Sequence, residues 1–158
     1  MSNNMAPLNL LSVLPQLLPK AIAWAEKQSQ DIAQTGQGLD ARNLALARSV
    51  GVQNPERIRV KIVPAIPTPT DTALQQAAIQ TGLLGQGNVG LTLGYGIFIA
   101  AGNFTTRVLS HECRHVQQHE EKGSIAAFLP DYLQQVVSVG YDNAPFEIDA
   151  RAWERDTL

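Results

Sequence analysis

Leu109-Ser110-His111-Glu112-Cys113-Arg114-His115-Val116 is an H-E-x-x-H motif inside a stretch with helical periodicity. Leu109, Cys113 and Val116 recur at i, i+4 and i+7, which predicts the buried stripe of an amphipathic helix. Two histidines four apart share one helix face, a turn from each other, so their imidazoles can converge on a single ion. Glu112 projects beside that pair, where it can reach a metal-bound water without being a ligand. Two neutral nitrogen donors and a nearby carboxylate base are what zinc-assisted hydrolysis requires. The competing reading is an ordinary helix with His111 and His115 as polar surface residues and Glu112 paired with a cation. Cys113, on the apolar stripe, reads as a small core residue and neither ligand nor nucleophile.

The segments around the motif set its context. Leu91-Thr92-Leu93-Gly94 and Ile97-Phe98-Ile99-Ala100 predict two short strands with Tyr95-Gly96 as the tight connection. Gly102-Asn103 then leads into the motif helix, with Asn103 or Thr105 as N-cap. Further upstream, Arg57 to Val63 alternates strictly and predicts a half-buried strand, its apolar residues inward and Arg59 and Lys61 toward solvent. Pro64, Pro67 and Pro69 make an extended loop, and Asp71 or Thr72 opens a short helix to about Thr81. The glycines at 82, 85, 87 and 90 form a turn too irregular to cradle a phosphate.

Toward the N-terminus, Pro19 to about Thr35 predicts a helix stopped by Gly36 and Gly38, and Asp40 caps a second from Ala41 to Val50 with Gly51 as its stop. The apolar segment Leu8 to Leu14 lacks a preceding cation and a small-residue cleavage site, and it is too short to span a bilayer. It reads as an arm or helix packed on the domain. Beyond Gly123, an amphipathic segment runs through Phe128, Tyr132 and Val136 to Gly140, with Pro130 as a kink or a fresh start. Tyr141 to Ala144 is a turn, and Pro145 suits the first position of a last helix, Phe146 to about Arg155. The expected fold is α+β, a small mixed or antiparallel sheet packed on helices, in one domain over residues 1–158 with no repeat or linker.

Composition narrows the function classes. The 158 residues carry 12 Lys and Arg against 14 Asp and Glu, a net charge of −2, so no basic field is available for nucleic acid. A single cysteine excludes an intramolecular disulfide framework and fits a reducing compartment. The expected location is cytoplasmic, with no membrane partner.

A catalytic zinc usually takes three protein ligands and keeps one open position. His119 lies two turns beyond His111, roughly 12 Å along the axis, too far to share an ion with both motif histidines. It is expected behind the ligands or at the surface. Glu147 is the better candidate. It falls in the first turn of the last helix, whose apolar stripe (Phe146, Ala150, Trp153) must pack on the motif helix, and the intervening helix and turn can bring it back antiparallel. The alternative for Glu147 is an acid stabilised by the helix dipole.

With these residues in view, Val89 to Ala152 resembles the gluzincin branch of H-E-x-x-H zinc metallopeptidases, the thermolysin-like enzymes. The shared order is a hairpin or edge strand, a motif helix, a connecting helix and a second helix bearing a glutamate ligand. The wording is also similar to small bacterial proteins reading His-Glu-x-x-His-Val-x-Gln and then Asn-x-Pro-x-Glu-x-Asp/Glu-Ala. The resemblance implies a zincin-like fold, Zn²⁺ held by His111, His115 and Glu147, and Glu112 as catalytic base. Two positions depart from it. Where those enzymes place an Asp four residues after the glutamate ligand, this chain has Arg151, leaving Asp149 or a backbone carbonyl to orient a histidine. The histidine that donates to the oxyanion lies in a downstream domain without counterpart here, so the expected donors are Tyr141, Tyr132 and His119, in that order.

The function expected is zinc-dependent hydrolysis of a peptide or protein substrate, with the strand around Ile97 to Ala100 pairing with the extended peptide. The alternatives are a catalytically silent module of the same fold acting in protein interaction, and a peptidase specific to one partner protein.

Overall fold

A computed structural model describes residues 9–83 and 87–157 of the chain. Leu8 of the apolar arm and Gly85 of the glycine-rich turn lie outside the described residues. The fold is α+β: α1 (Leu10–Thr35), α2 (Ala41–Ser49), β1 (Arg59–Val63), α3 (Thr72–Thr81), β2 (Gly90–Leu93), β3 (Gly96–Ala100), α4 (Thr106–Lys122), α5 (Ile125–Val139) and α6 (Pro145–Ala152). A 3₁₀ turn at Pro55–Arg57 precedes β1.

Three strands make a mixed sheet in the order β1-β3-β2, with β1 parallel and β2 antiparallel to β3. The hairpin turn is Gly94-Tyr95, one residue ahead of the expected position, because Gly94 takes φ +68° at the first turn position, which glycine adopts without strain. β3 is the central strand. Its side chains are buried on both faces, which is why it reads as a continuous apolar run. Ile97 and Ile99 pack with Leu46, Leu109, Cys113 and Val116 of α2 and α4, while Phe98 packs with Ala25 and Ile32 of α1 and Ile125 of α5. Helices therefore cover both faces of the sheet.

This arrangement overturns the expectation that Ile97 to Ala100 pairs with a peptide. Both edges of β3 already bond to neighbours, and a strand can accept an added chain only along an unpaired edge. The outer edges of the sheet belong to β1 and β2 instead.

Three further expectations need correction. α1 starts at Leu10 and runs through Pro15 and Pro19. Each proline removes one backbone donor, but both lie on the exposed side, where the freed carbonyls can bond to water, and the apolar side of the same turns buries Leu10 and Leu17. The strand face carrying Arg59 and Lys61 is only partly open to solvent. α1 lies along it, Lys61 pairs with Asp31 of α1 at 2.9 Å, and Arg59 donates to the carbonyls of Glu56 and Ile58. Ile62, expected in the core, is 49% exposed because it lies near the end of an edge strand, beyond the reach of the packed helices.

Several local signals act as expected. Asp40 accepts from Asn43 N and Asp71 from Leu74 N, each capping its helix. Thr105 caps α4 through Val108 N, and Gly123 ends it in the left-handed conformation. α5 continues through Pro130, with Ser124 as its cap. No helix among the described residues is long and apolar enough to cross a membrane.

Candidate metal centre

α4 presents His111 and His115 one turn apart, with ring centroids 4.9 Å from each other. α6 packs against α4, with Trp153 just past its end against the α4 core residues and Phe146 turned to Phe128 and Tyr132 of α5, and it brings Glu147 in from its first turn. His111 Nε2 lies 3.1 Å from Glu147 Oε1, and His115 Nε2 lies 3.0 Å from Glu147 Oε2. One ligand atom from each of the three falls within 4.8 Å of the others, a group that can hold a metal ion. Ligand atoms each about 2 Å from a zinc ion stand no more than about 4 Å apart, so a small side-chain adjustment closes the set. Two imidazoles and one carboxylate make a donor set that suits zinc and leaves a position open.

The charges in this cluster are tightly coupled. Burial works against the ionised form of Glu147, but His115, His111 and Tyr132 outweigh it and hold the carboxyl well below the ordinary range. Burial likewise works against the charged form of His115, yet Glu147 and Glu112 raise its pKa to about 9. Metal and proton then compete for the same nitrogen. Zinc affinity should therefore rise as pH climbs from 7 to 9, by about tenfold per unit for one displaced proton, and level off above 9. Titrations with a metal indicator across that range check it. An affinity independent of pH would mean that His115 is already neutral at 7.

Behind each histidine stands a partner that fixes its ring. His115 Nδ1 donates to Gln118 Oε1 at 2.8 Å. The Gln118 amide nitrogen donates to the carbonyl of Phe146 and to Asp149, both at 2.9 Å. One side chain thus orients a motif histidine and ties α4 to the turn of α6 that carries Glu147. Asp149 is itself clamped by Arg114 at 2.8 Å, whose guanidinium lies 4.3 Å from the Trp153 ring centroid. His111 Nδ1 faces Glu154 at 3.5 Å, and Arg107 anchors Glu154 at 2.9 Å. Such outer partners set tautomer and ring direction.

These contacts answer the question raised by Arg151. That residue donates to the carbonyl of Asp142 and steadies the turn before α6. Asp149 reaches His115 only through Gln118, and Glu154, just past α6, faces His111. Sequence reasoning missed Gln118 and Glu154. Gln118 had one signal, three residues beyond His115 and so on the same side of the helix. Glu154 had none, since its approach depends on where the chain goes after α6.

Glu112 is buried on the side facing β2. The Thr92 hydroxyl lies 2.9 Å from its Oε1 and 3.1 Å from its backbone carbonyl. Burial pushes the Glu112 carboxyl up, against the pull of His115 and His111. Gly90 makes room for it: a Cβ there would stand 2.8 Å from the carboxyl group.

Of the three expected oxyanion donors, the structure separates the roles. Tyr141 lines an open groove of ≈ 630 Å³ together with His111, Glu112, Arg107 and Glu154. Burial, Glu147 and Glu112 all raise the Tyr141 pKa, so it stays a protonated donor. Tyr132 does not line that groove. Its hydroxyl donates to Glu147 Oε2 at 2.6 Å. His119 is buried rather than at the surface, stacked 3.8 Å from Phe128, with Nδ1 donating to the carbonyl of His115 at 2.7 Å. Burial lowers its pKa to about 4. Cys113 is a core residue as expected, and burial pushes its thiol far up.

The chain matches no protein-family model, no curated protein and no solved structure. The functional reading therefore rests on the geometry.

Proposed function

We propose that this protein is a zinc metallopeptidase of the gluzincin type, in which His111, His115 and Glu147 hold the metal and Glu112 is the catalytic base. The observation that carries the reading is the position of Glu112. It stands next to the metal triad, buried against Gly90, on the wall of the open groove. A module that only held zinc would gain nothing from a second carboxylate there, since a buried acid costs stability unless it has work to do.

Bound to the triad, zinc would supply an acidified water and polarise the scissile carbonyl. Glu112 takes the proton from the attacking water and returns it to the leaving amine nitrogen, a double role suited to a carboxyl whose pKa is raised. Thr92 holds Oε1, which leaves Oε2 for the proton transfer. Tyr141, on the groove wall, donates to the developing oxyanion. The peptide is aligned by adding a strand to the unpaired edge of β2, so that its backbone passes over α4.

The test is digestion of a mixed peptide library by zinc-loaded protein, read by mass spectrometry. New termini that disappear on chelation support the reading. A protein that binds zinc stoichiometrically and cuts neither the library nor unfolded protein substrates would instead be the silent interaction module. A companion variant, Gly90→Ala, probes the base alone. Its new methyl must displace the Glu112 carboxyl, and a shift near 1 Å costs about 10²-fold in turnover. Zinc content should be unchanged, and full activity in this variant would remove Glu112 from its assigned position.

A further inference from the structure

Beside the metal groove lies a second, apolar cavity of ≈ 120 Å³. Its far wall comes from α1, α3 and α5 and includes Leu14, Leu17, Leu74, Ala78 and Leu133. Glu112, Gly90 and Tyr141 line both this cavity and the groove, and His115 and Glu147 line the cavity too, so the two spaces share a wall at the metal triad and the catalytic base. The volume is close to that of an apolar cavity of about 150 Å³ that takes a single benzene ring. His119 is a polar group of the wall outside the metal triad. It sits one turn beyond His115, about 6 Å along the α4 axis.

The tautomer of His119 is settled by its surroundings. Nδ1 donates to the carbonyl of His115 and the ring stacks on Phe128, which leaves Nε2 as the ring nitrogen free to accept. Nε2 is then a bare acceptor, and it has no hydrogen-bond partner among the described residues. An aliphatic or plain phenyl occupant would leave that acceptor dry and unpaired, which costs affinity. A ring bearing a donor would satisfy it.

We propose that this cavity is a side-chain subsite for tyrosine, in which the ring fills the apolar space and the phenol hydroxyl donates to His119 Nε2. The proposal deepens the peptidase reading and rests on it for the link to substrate: the residue next to the scissile bond would be a tyrosine. Phenylalanine fits the same space without the hydrogen bond, and the specificity is the difference between the two.

The test uses p-cresol and toluene, the side chains of tyrosine and phenylalanine, titrated into the full chain by calorimetry and by NMR, both zinc-loaded and after chelation. Wild type should bind p-cresol about fivefold more tightly than toluene, the effect of one net hydrogen bond. His119→Phe, which preserves the stack on Phe128, should bind the two equally. Ala78→Phe, which fills the cavity from α3, should bind neither. Equal binding by wild type, no binding at all, or a preference that survives His119→Phe overturns the proposal. Because the chelated arm needs neither metal nor turnover, an absence of zinc binding or peptide cleavage would sink the peptidase reading while leaving this result standing, and the reverse holds too.

Discussion

Glu147→Ala should lower zinc affinity by at least about a thousandfold, well beyond the 10–100-fold that loss of an outer partner costs. The residue supplies the only carboxylate in the three-member donor group, and its two oxygens face both histidine Nε2 atoms at 3.0 and 3.1 Å. Glu147 is 2% exposed, so no solvent-held acid can swing in to replace it. Gln118→Ala is the control. It keeps all three ligands but frees the His115 ring and unties α4 from α6, and the expected loss is about 10–100-fold. Competition against chelators of graded affinity measures both. Equal losses in the two variants would mean that Glu147 acts from outside the coordination sphere, and the third ligand would then have to be sought elsewhere. Removal of Glu147 also strands the Tyr132 hydroxyl that donates to it, so Glu147→Gln serves as a second variant that keeps a hydrogen-bond acceptor in place.

Glu112→Gln should leave zinc content unchanged and reduce peptide cleavage by about 10³-fold or more, within the range set by a lost general base and general acid acting in one cycle. The amide matches the carboxylate in shape, so the Thr92 hydroxyl retains an acceptor and the strand at Gly90 is undisturbed. What is lost is the capacity to take and return a proton. Metal analysis and cleavage rates on the same preparation make the comparison direct. Retained cleavage would exclude Glu112 as the base, whereas lost zinc would make it part of the ligand set.

Together these variants separate three functions lying within a few ångströms of each other. In the proposed mechanism Glu147 with His111 and His115 holds the ion, Glu112 moves the proton, and Gln118 and Glu154 direct the rings. His119, next along α4, shares the cavity wall with His115 and Glu147 but stands outside the donor group. A helix turns once in 3.6 residues, so His111 and His115 share the face that meets Glu147 of α6, while Glu112, one position on from His111, meets β2.

The sequence determined whatever depends on short stretches of chain. The motif spacing places both histidines on one face of α4 because helix geometry is local, and the caps at Asp40, Asp71 and Thr105 follow from side chains bonding backbone donors two or three residues ahead. Glu147 was within reach because an apolar stripe on the last helix and a single intervening helix left few ways to pack it. Tertiary structure alone decided what depends on distant segments meeting. That β3 sits between β1 and β2 follows from a parallel crossover that no alternation pattern encodes, and with it the outer edges fall to β1 and β2. α1 forms ahead of its prolines because apolar residues elsewhere give its first turns something to bury, a gain that propensity along the chain does not register. Glu154 meets His111 across 43 residues. Such an encounter is fixed by the packing of α6 on α4, and its energy appears only once both helices are in place.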